Sequence, residues 1–250
     1  MHRRTLITLA ALAALSSTAG AQGQTVTIMA SEYSFQGPDS IPAGMTTFRL
    51  LNSGSELHHV QVVRFEQGKT FDDFAAAVRN PGPPPEWLTF MGGPNTGIPD
   101  GKTPVTVTVN LPAGNYAMIC FVPGPDGAPH IAMGMMRPLT VIPPPASATQ
   151  ASAPRADAVM TLYDYNFDLD KPLTAGRRTI LVKNKAAQFH EAVLVKLPAG
   201  VPATAFLEWL GAGMQGPPPV IPMGGVVGIT AGEENYFTVD LEPGNYALYC

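Results

Sequence analysis

The sequence predicts an all-β protein made of two tandem Greek-key β-sandwich domains, each with one short helix in a long connection. Three observations support this class. Apolar and polar residues alternate in short runs such as Pro104–Asn110, which is the period of a half-buried strand. The 250 residues include 25 Gly and 26 Pro, a composition typical of frequent turns between short strands. The same succession of motifs also occurs twice along the chain.

The internal repeat divides the chain. Gly114–Cys120 reads GNYAMIC and Gly244–Cys250 reads GNYALYC, and His58 recurs 132 residues later as His190. Two units of about 110 residues indicate a duplicated small domain rather than a solenoid. The predicted organisation is a signal peptide at residues 1–21, a first domain at 22–142, a Pro/Ala/Ser linker at 143–156 and a second domain at 157–250.

Strands are expected wherever the alternation is clear. In the first repeat these segments are 25–30, 46–51, 59–65, 104–110, 116–121 and 139–142; in the second they are 159–163, 178–183, 191–196 and 236–241. Thr70 is the expected N-cap of a helix with Phe71, Phe74 and Val78 on one face, and its counterpart holds Phe206, Trp209 and Leu210. The repeated Gly-Pro-Pro-Pro and Met-Gly-Gly segments are expected to stiffen long connections.

The first residues indicate export. Arg3 and Arg4 precede an apolar run, residues 6–15, and a small-residue cleavage site at 19–21, which is the pattern of a secretory signal peptide. We therefore expect an exported, periplasmic or extracellular bacterial protein with no transmembrane segment after signal removal. The net charge of −4 becomes −6 once the two arginines leave, because 13 basic residues then face 19 acidic ones. This charge, without a basic run, argues against nucleic acid as a partner.

The cysteines occupy equivalent places in the two repeats. An exported protein with two cysteines ordinarily suggests one disulfide. Cys120 and Cys250 are each alone in their own repeat, however, so a bridge would require two homologous strand ends to meet. We expect both thiols to be free. A Cys followed by a His and a Met is instead a set of soft and borderline donors that selects copper.

The motifs around Cys120 resemble those of the cupredoxin (blue type 1 copper, plastocyanin/azurin-like) family. Asn52 is followed by five residues and His58, the segment Gly114–Cys120 has the Gly-x-Tyr-x-x-x-Cys pattern, and His130 is followed by four residues and Met135. The resemblance covers nearly all of the first repeat and most of the second. It implies one type 1-like copper site in the first domain, with His58, Cys120 and His130 as ligands and Met135 as the weak axial ligand.

The segment between the cysteine and the second histidine departs from the family pattern. Nine residues separate Cys120 from His130, more than is usual in blue copper sites. Its prolines and a Pro-Asp-Gly turn stiffen it, which allows it to return His130 to the metal. An altered geometry, a buried site and a fold that has lost copper are the alternatives. Met133 and Met136 are alternatives for the axial position. His59 is expected to lie outside the ligand set.

The second repeat keeps only part of this ligand set. His190 and Cys250 form a partial second site, and two ligands do not make a blue copper site. We expect that the sequence is truncated at this cysteine. A degenerate second domain that packs against the first is the alternative.

The leading functional hypothesis is one-electron transfer through the copper site of the first domain, to a redox partner protein. A periplasmic copper carrier that hands copper to an acceptor and a metal-free binding or structural module are alternatives. An enzyme resembling multicopper oxidases or copper nitrite reductases is less favoured. Those enzymes need more histidine ligands, and four of the five histidines remain once His2 leaves with the signal peptide.

Overall fold

A computed structural model describes residues 23–66, 68–80, 82–147 and 149–250. The predicted signal peptide, residues 1–21, lies outside these residues. The strands of the first repeat are β1 (Gln24–Ser31), β2 (Ser34–Gln36), β3 (Ser40–Pro42), β4 (Gly44–Asn52), β5 (Gln61–Phe65), β6 (Leu88–Gly92), β7 (Val105–Leu111), β8 (Gly114–Ile119) and β9 (Met136–Ile142). Those of the second are β10 (Ala158–Tyr163), β11 (Asn166–Leu169), β12 (Gly176–Asn184), β13 (His190–Leu197), β14 (Ile221–Ile229), β15 (Glu234–Leu241) and β16 (Asn245–Tyr249).

These strands form two eight-stranded sheets, and each sheet runs through both repeats. One has the order β11-β10-β12-β15-β7-β4-β1-β2 and the other the order β16-β13-β14-β6-β5-β8-β9-β3. Strands β1 and β4 are parallel, as are β3 and β9, whereas neighbours such as β4 and β7 are antiparallel. The predicted all-β sandwich class is confirmed. In the first sheet the repeats join through β15 and β7, paired from Asn235–Val109 to Thr238–Thr106.

Alternating side chains build the core. In β4, every second residue from Thr46 to Asn52 is buried, because successive side chains of a strand point to opposite faces of the sheet. The buried apolar residues of both repeats form one continuous cluster, which includes Phe48 and Tyr116 from the first repeat and Leu162 and Phe237 from the second. The sheets are therefore held together across the repeats by burial as well as by hydrogen bonds.

Each repeat has one short α-helix among the described residues, as the sequence predicts, and the first repeat also has a 3-10 helix at His130–Met133. Helix α1 (Phe71–Val78) begins after Thr70, whose hydroxyl accepts a hydrogen bond from the N–H of Asp73 while the Asp73 carboxylate accepts one from the N–H of Thr70. Such a capping box stabilises a helix start by about 1 kcal/mol. Helix α2 (Thr204–Gly211) packs Phe206 into a smaller apolar cluster beside β13. No helix among the described residues is long and apolar enough to cross a membrane.

The interpretation of the Met-Gly-Gly segments as stiff connections was wrong. Met91 and Gly92 belong to β6, and the equivalent Met223, Gly224 and Gly225 belong to β14. These strands meet at the junction of the repeats, where the backbone approaches its neighbours closely. Gly92 has a φ of 87°, and a Cβ at this position would collide with the Asn235 side chain. Only glycine satisfies both the left-handed φ and the close contact.

Candidate metal centre

The loop that carries His58 is held by Asn52, the last residue of β4. The buried Asn52 side chain donates through Nδ2 to the carbonyl oxygen of Glu56 at 2.6 Å and accepts at Oδ1 from the N–H of Gly54 at 3.0 Å. Asn184 makes the same two bonds in the second repeat, to Gln188 O and from Ala186 N. The Asn-x5-His spacing of the sequence is thus a closed turn that places the histidine immediately before β5.

The nine residues after Cys120 form a tight hairpin that returns His130 to the end of β8. Pro123 and Pro129 form a β-bridge, and Gly124 N–H donates to Ala128 O at 2.8 Å. A hydrogen bond at His130 closes the base of the hairpin. The N–H of His130 donates to the carbonyl of Val122 at 2.9 Å. The long segment therefore brings Cys120 and His130 together, as its turn residues predict.

Three side chains converge at this end of the sandwich. The Nδ1 atoms of His58 and His130 lie 3.0 Å apart, and the Cys120 Sγ atom lies 3.5 Å from His130 Nδ1. All three potential ligand atoms lie within 4.8 Å of one another, and all three residues are fully buried. Atoms at these separations can be bridged by one ion at metal–nitrogen and metal–sulfur distances of about 2.0 and 2.3 Å. Two imidazoles and one thiol are also the donor set that suits copper, so the residues fit this metal.

Met135 is the buried methionine of the three candidates for an axial ligand. Its N–H donates to His130 O at 2.9 Å and its carbonyl accepts from Cys120 N–H at 3.2 Å, so its backbone is tied to both loop ligands. Met133 and Met136 are half-buried, and Met136 packs against the apolar cluster under helix α1. These contacts favour Met135 as the axial residue, and its assignment as a ligand stays a prediction.

Burial controls the protonation of the ligand side chains. It raises the pKa of the Cys120 thiol to about 12, since a thiolate is poorly solvated in the interior. Burial and the adjacent His130 lower the pKa of His58 to about 4. At neutral pH His58 is thus neutral and available as a ligand, whereas the Cys120 thiol gives up its proton when a metal ion binds.

Two carboxylates face the outer nitrogens of the ligand histidines. Glu56 Oε2 lies 2.8 Å from His130 Nε2, and Glu32 Oε1 lies 4.0 Å from His58 Nε2, a buried atom without a hydrogen-bond partner among the described residues. Tyr33 donates its hydroxyl to Glu56 Oε1 at 3.4 Å and packs edge-on against the His130 ring. These three residues are not among those predicted from the sequence. The position of Glu56, two residues before His58, places it near the site but does not indicate which group its carboxylate meets.

His59 lies outside the ligand set, as expected, but it is buried rather than exposed. Its Nε2 atom accepts a hydrogen bond from the N–H of Phe121 at 2.8 Å, so it ties the residue after Cys120 to the His58 loop. Burial lowers the pKa of His59 to about 3, and the nearby His130 and His58 act in the same direction. This histidine is therefore a neutral hydrogen-bond acceptor that supports the frame of the site.

The second repeat brings its two equivalent residues together. His190 Nδ1 lies 3.3 Å from Cys250 Sγ, and His190 Nε2 lies 2.9 Å from Asp164 Oδ1. Cys250 is exposed, whereas Cys120 is buried, and both are free thiols. The assignment of His190 and Cys250 as a partial metal site stays a prediction.

The candidate donors occupy equivalent positions in the strand order of the two repeats. Each histidine–cysteine pair sits where the strand after the Asn turn meets the strand that ends at the cysteine, β5 with β8 and β13 with β16. In the first repeat the loop after this cysteine supplies a second histidine. This arrangement is similar to the cupredoxin fold, as the sequence motifs predict.

Solved structures with the cupredoxin fold match the chain with low identity. The reduced auracyanin of the photosynthetic bacterium Roseiflexus castenholzii is 22% identical over 49% of this chain and 100% of its own, with a TM-score of 0.33. Auracyanin A of Chloroflexus aurantiacus, described as a "blue" copper protein, is 24% identical over 47% of this chain and 99% of its own, with a TM-score of 0.30.

Another solved structure matches more of the chain. The copper nitrite reductase of Nitrosomonas europaea is 16% identical over 91% of this chain and 88% of its own, with a TM-score of 0.29. No protein-family model matches the sequence, and the search of curated proteins gave no match. The geometry of the site is therefore the basis for the proposed function.

Proposed function

We propose that the protein is an exported copper-binding electron carrier with a mononuclear type 1-like site in its first domain. His58, Cys120 and His130 hold the copper, and Met135 is the weak axial ligand. The observation that carries this proposal is the convergence of the three buried donors within 4.8 Å on a frame of paired strands. The domains are residues 22–142 and 157–250, joined by the linker at 143–156 and preceded by the signal peptide at 1–21.

The ligand residues suit one-electron transfer. Thiolate and imidazole donors stabilise both Cu(I) and Cu(II), so bound copper supplies a reversible one-electron couple. The ligands are held by Asn52, by the hairpin after Cys120 and by the β5–β8 pairing, which together fix their positions. Ligands that keep their places in both oxidation states lower the reorganisation that accompanies electron transfer. Complete burial of the three donors excludes water from the site.

A copper titration of the full chain tests the proposal. Cu(II) added to the metal-free protein, with its thiols reduced, is expected to produce an intense thiolate-to-copper charge-transfer band at one equivalent. Cys120→Ser removes the band, whereas Cys250→Ser, the matched change in the second repeat, retains it. A folded protein that shows no band and takes up no stoichiometric copper contradicts the proposal and favours a metal-free module.

Copper delivery is the second candidate function, because three methionines, Met133, Met135 and Met136, flank the site and thioethers suit Cu(I). The two functions differ in how readily the protein releases its copper. An electron carrier retains Cu(I) against a chelator on the timescale of electron transfer and exchanges electrons with a redox partner protein. A carrier releases Cu(I) readily to a chelator or to an acceptor protein. The buried ligand set supports the first of these functions.

An oxidase-like or nitrite reductase-like enzyme needs histidines for a further copper site. Of the histidines in the described residues, His59 is already bonded to the N–H of Phe121, and His190 lies beside Cys250. We therefore propose a carrier or binding protein rather than an enzyme. Turnover of a phenolic substrate or of nitrite by the copper-loaded protein would contradict this choice.

A further inference from the structure

The environment of His130 Nε2 distinguishes the two ligand imidazoles. This nitrogen points away from Cys120 and His58 and meets Glu56 Oε2 at 2.8 Å, while the ring itself has no exposed surface. His58 Nε2 meets no partner at hydrogen-bond distance among the described residues. One ligand imidazole is thus bonded to a carboxylate and the other is not.

The position of Glu56 is set by its own contacts. Its carbonyl accepts from Asn52 Nδ2 at 2.6 Å and its N–H donates to Glu32 Oε1 at 3.2 Å, so the backbone is held at both ends. Tyr33 then donates to Glu56 Oε1 and leaves Oε2 directed at the imidazole. The carboxylate is therefore a fixed part of the frame and covers the outer edge of His130.

We infer that Glu56 is a positioning residue that holds the His130 imidazole for copper and shifts the redox balance of the site toward the oxidised ion. This inference rests on the proposed function. An ionised carboxylate only accepts hydrogen bonds, so His130 carries its proton on Nε2 and keeps the lone pair of Nδ1 free on the side of Cys120 and His58. A histidine ligand bonded in this way is also a stronger donor.

The charge of Glu56 acts in the same direction. With the Cys120 thiolate and the Glu32 carboxylate, it places negative charge beside the ion, and this charge attracts a divalent copper more strongly than a monovalent one. The attraction is larger in a buried site of low dielectric than in water. Glu56 therefore stabilises Cu(II) more than Cu(I) and lowers the reduction potential.

The second repeat supplies a natural substitution at this position. Gln188 is the residue equivalent to Glu56. Gln188 stands two positions before His190, and Glu56 stands two positions before His58. In both repeats the carbonyl of this residue accepts from the turn asparagine, at 2.6 Å for Glu56 and 2.7 Å for Gln188. A glutamine is thus compatible with the turn, and Glu56→Gln removes the charge while it keeps the shape.

The first test needs no metal. Long-range ¹H–¹⁵N NMR of the metal-free full chain at neutral pH reports which ring nitrogen of His130 carries the proton. We expect protonated Nε2 and unprotonated Nδ1 in the wild type, and a mixture of the two tautomers in Glu56→Gln. A wild-type His130 protonated on Nδ1 overturns the inference, whether or not the variant folds and whether or not the protein binds copper.

The second test compares copper-loaded proteins. Glu56→Gln is expected to weaken Cu(II) binding about tenfold more than Cu(I) binding, as changes beside ligand histidines commonly cost tenfold or more in affinity. That ratio raises the reduction potential by about 59 mV for one electron. Glu208→Gln, the same change at an exposed position of helix α2, controls for net charge and leaves the potential unchanged. Glu56→Asp keeps the charge and shifts the potential less than Glu56→Gln.

The outcomes separate the two proposals. If the wild type binds no copper through Cys120, the proposed function fails while the tautomer of His130 still tests Glu56. If the wild type has a charge-transfer band but Glu56→Gln has the wild-type potential and the wild-type tautomer, the inference about Glu56 is wrong and the proposed function stands.

Discussion

His58 and His130 are separated by 72 residues, yet their Nδ1 atoms face each other at 3.0 Å. The first is placed by the turn before β5 and the second by the hairpin after β8. Because these two strands pair directly, from Gln61–Ile119 to Arg64–Tyr116, their ends bring both histidines to one edge of the sandwich. The site is therefore a consequence of strand pairing, and changes that loosen either connection should affect copper before they affect the fold.

Asn52→Ala tests the turn that carries His58. The substitution removes two hydrogen bonds from a buried side chain, to Glu56 O and from Gly54 N, and should lower the free energy of unfolding by roughly 1–3 kcal/mol. Copper affinity should fall at least tenfold, because both His58 and Glu56 lose their support. Chemical denaturation and competition with a chelator measure the two effects.

Asn184→Ala is the matched control for this prediction, because Asn184 forms the same turn in the second repeat. It should destabilise the fold at least as much, because Asn184 also donates to Ile229 O at 2.7 Å, and leave the copper affinity of the first site unchanged. Equal losses of copper affinity in the two variants would show that the turn acts only through global stability.

Met135→Leu tests the axial ligand. Leucine has a similar volume, so the buried site should lose less than about 1.5 kcal/mol of stability. Removal of a weak sulfur donor should keep the charge-transfer band of the Cys120 thiolate and raise the reduction potential, since the axial residue tunes the oxidised state. The potential is measured by redox titration of the copper-loaded protein.

Met136→Leu and Met133→Leu are the controls for the axial assignment. Both side chains are half-buried, and neither substitution should move the potential if Met135 is the ligand. A shift in one of these variants, with none in Met135→Leu, would transfer the axial assignment to that methionine.

The sequence predicts those parts of the fold that depend on local patterns. Strands such as β4 and β7 alternate clearly between apolar and polar residues, and Thr70 and Asp73 form the expected helix start. The cupredoxin resemblance implies His58, Cys120 and His130 as donors, and the structure brings all three together. Local signals suffice here because each ligand lies in or beside a short segment whose conformation its neighbours determine.

Features that depend on contacts between distant segments could not be predicted in this way. The Met-Gly-Gly motifs are typical of connections, yet they lie at the end of β6 and within β14. They form strand there because they pair with β5 and β13 and meet at the junction of the repeats. Glu56 is 74 residues from His130, and nothing in its own neighbourhood indicates that its carboxylate faces an imidazole. Both are outcomes of tertiary packing, which overrides local propensity.

Asn235→Ala tests how tightly the two repeats are joined. The fully buried Asn235 side chain, in β15 of the second repeat, accepts from Gly93 N–H at 3.1 Å and donates to Met91 O at 2.9 Å in the first. Loss of this side chain leaves two buried backbone groups unpaired and should lower the free energy of unfolding by roughly 2–5 kcal/mol. Calorimetry should show one transition in the wild type, because the sheets are continuous, and a lower or divided transition in the variant.

Asn245→Ala provides the comparison for Asn235→Ala, because Asn245 is an exposed residue of β16 in the same repeat. Asn245→Ala should change the midpoint temperature of unfolding only slightly. Two separate transitions already present in the wild type would contradict the expected coupling and indicate that the domains unfold independently.

His59 gives the metal-free protein a predicted acid sensitivity. Its pKa in the folded state is about 3, because burial disfavours the charged ring, whereas an unfolded histidine titrates near 6.5. The unfolded state thus binds the proton more readily between these values, so stability is complete above about pH 6.5 and declines as the pH falls toward 3. One such group changes the free energy of unfolding by about 1.4 kcal/mol per pH unit within that window. Denaturant unfolding of the chelator-treated protein at pH 7, 6, 5 and 4 measures the slope of unfolding free energy against pH.

His59→Gln keeps an acceptor for the N–H of Phe121 but cannot titrate, so its slope should be smaller by about one proton. An identical slope in the wild type and His59→Gln would mean that His59 is charged in the folded protein, in conflict with its burial.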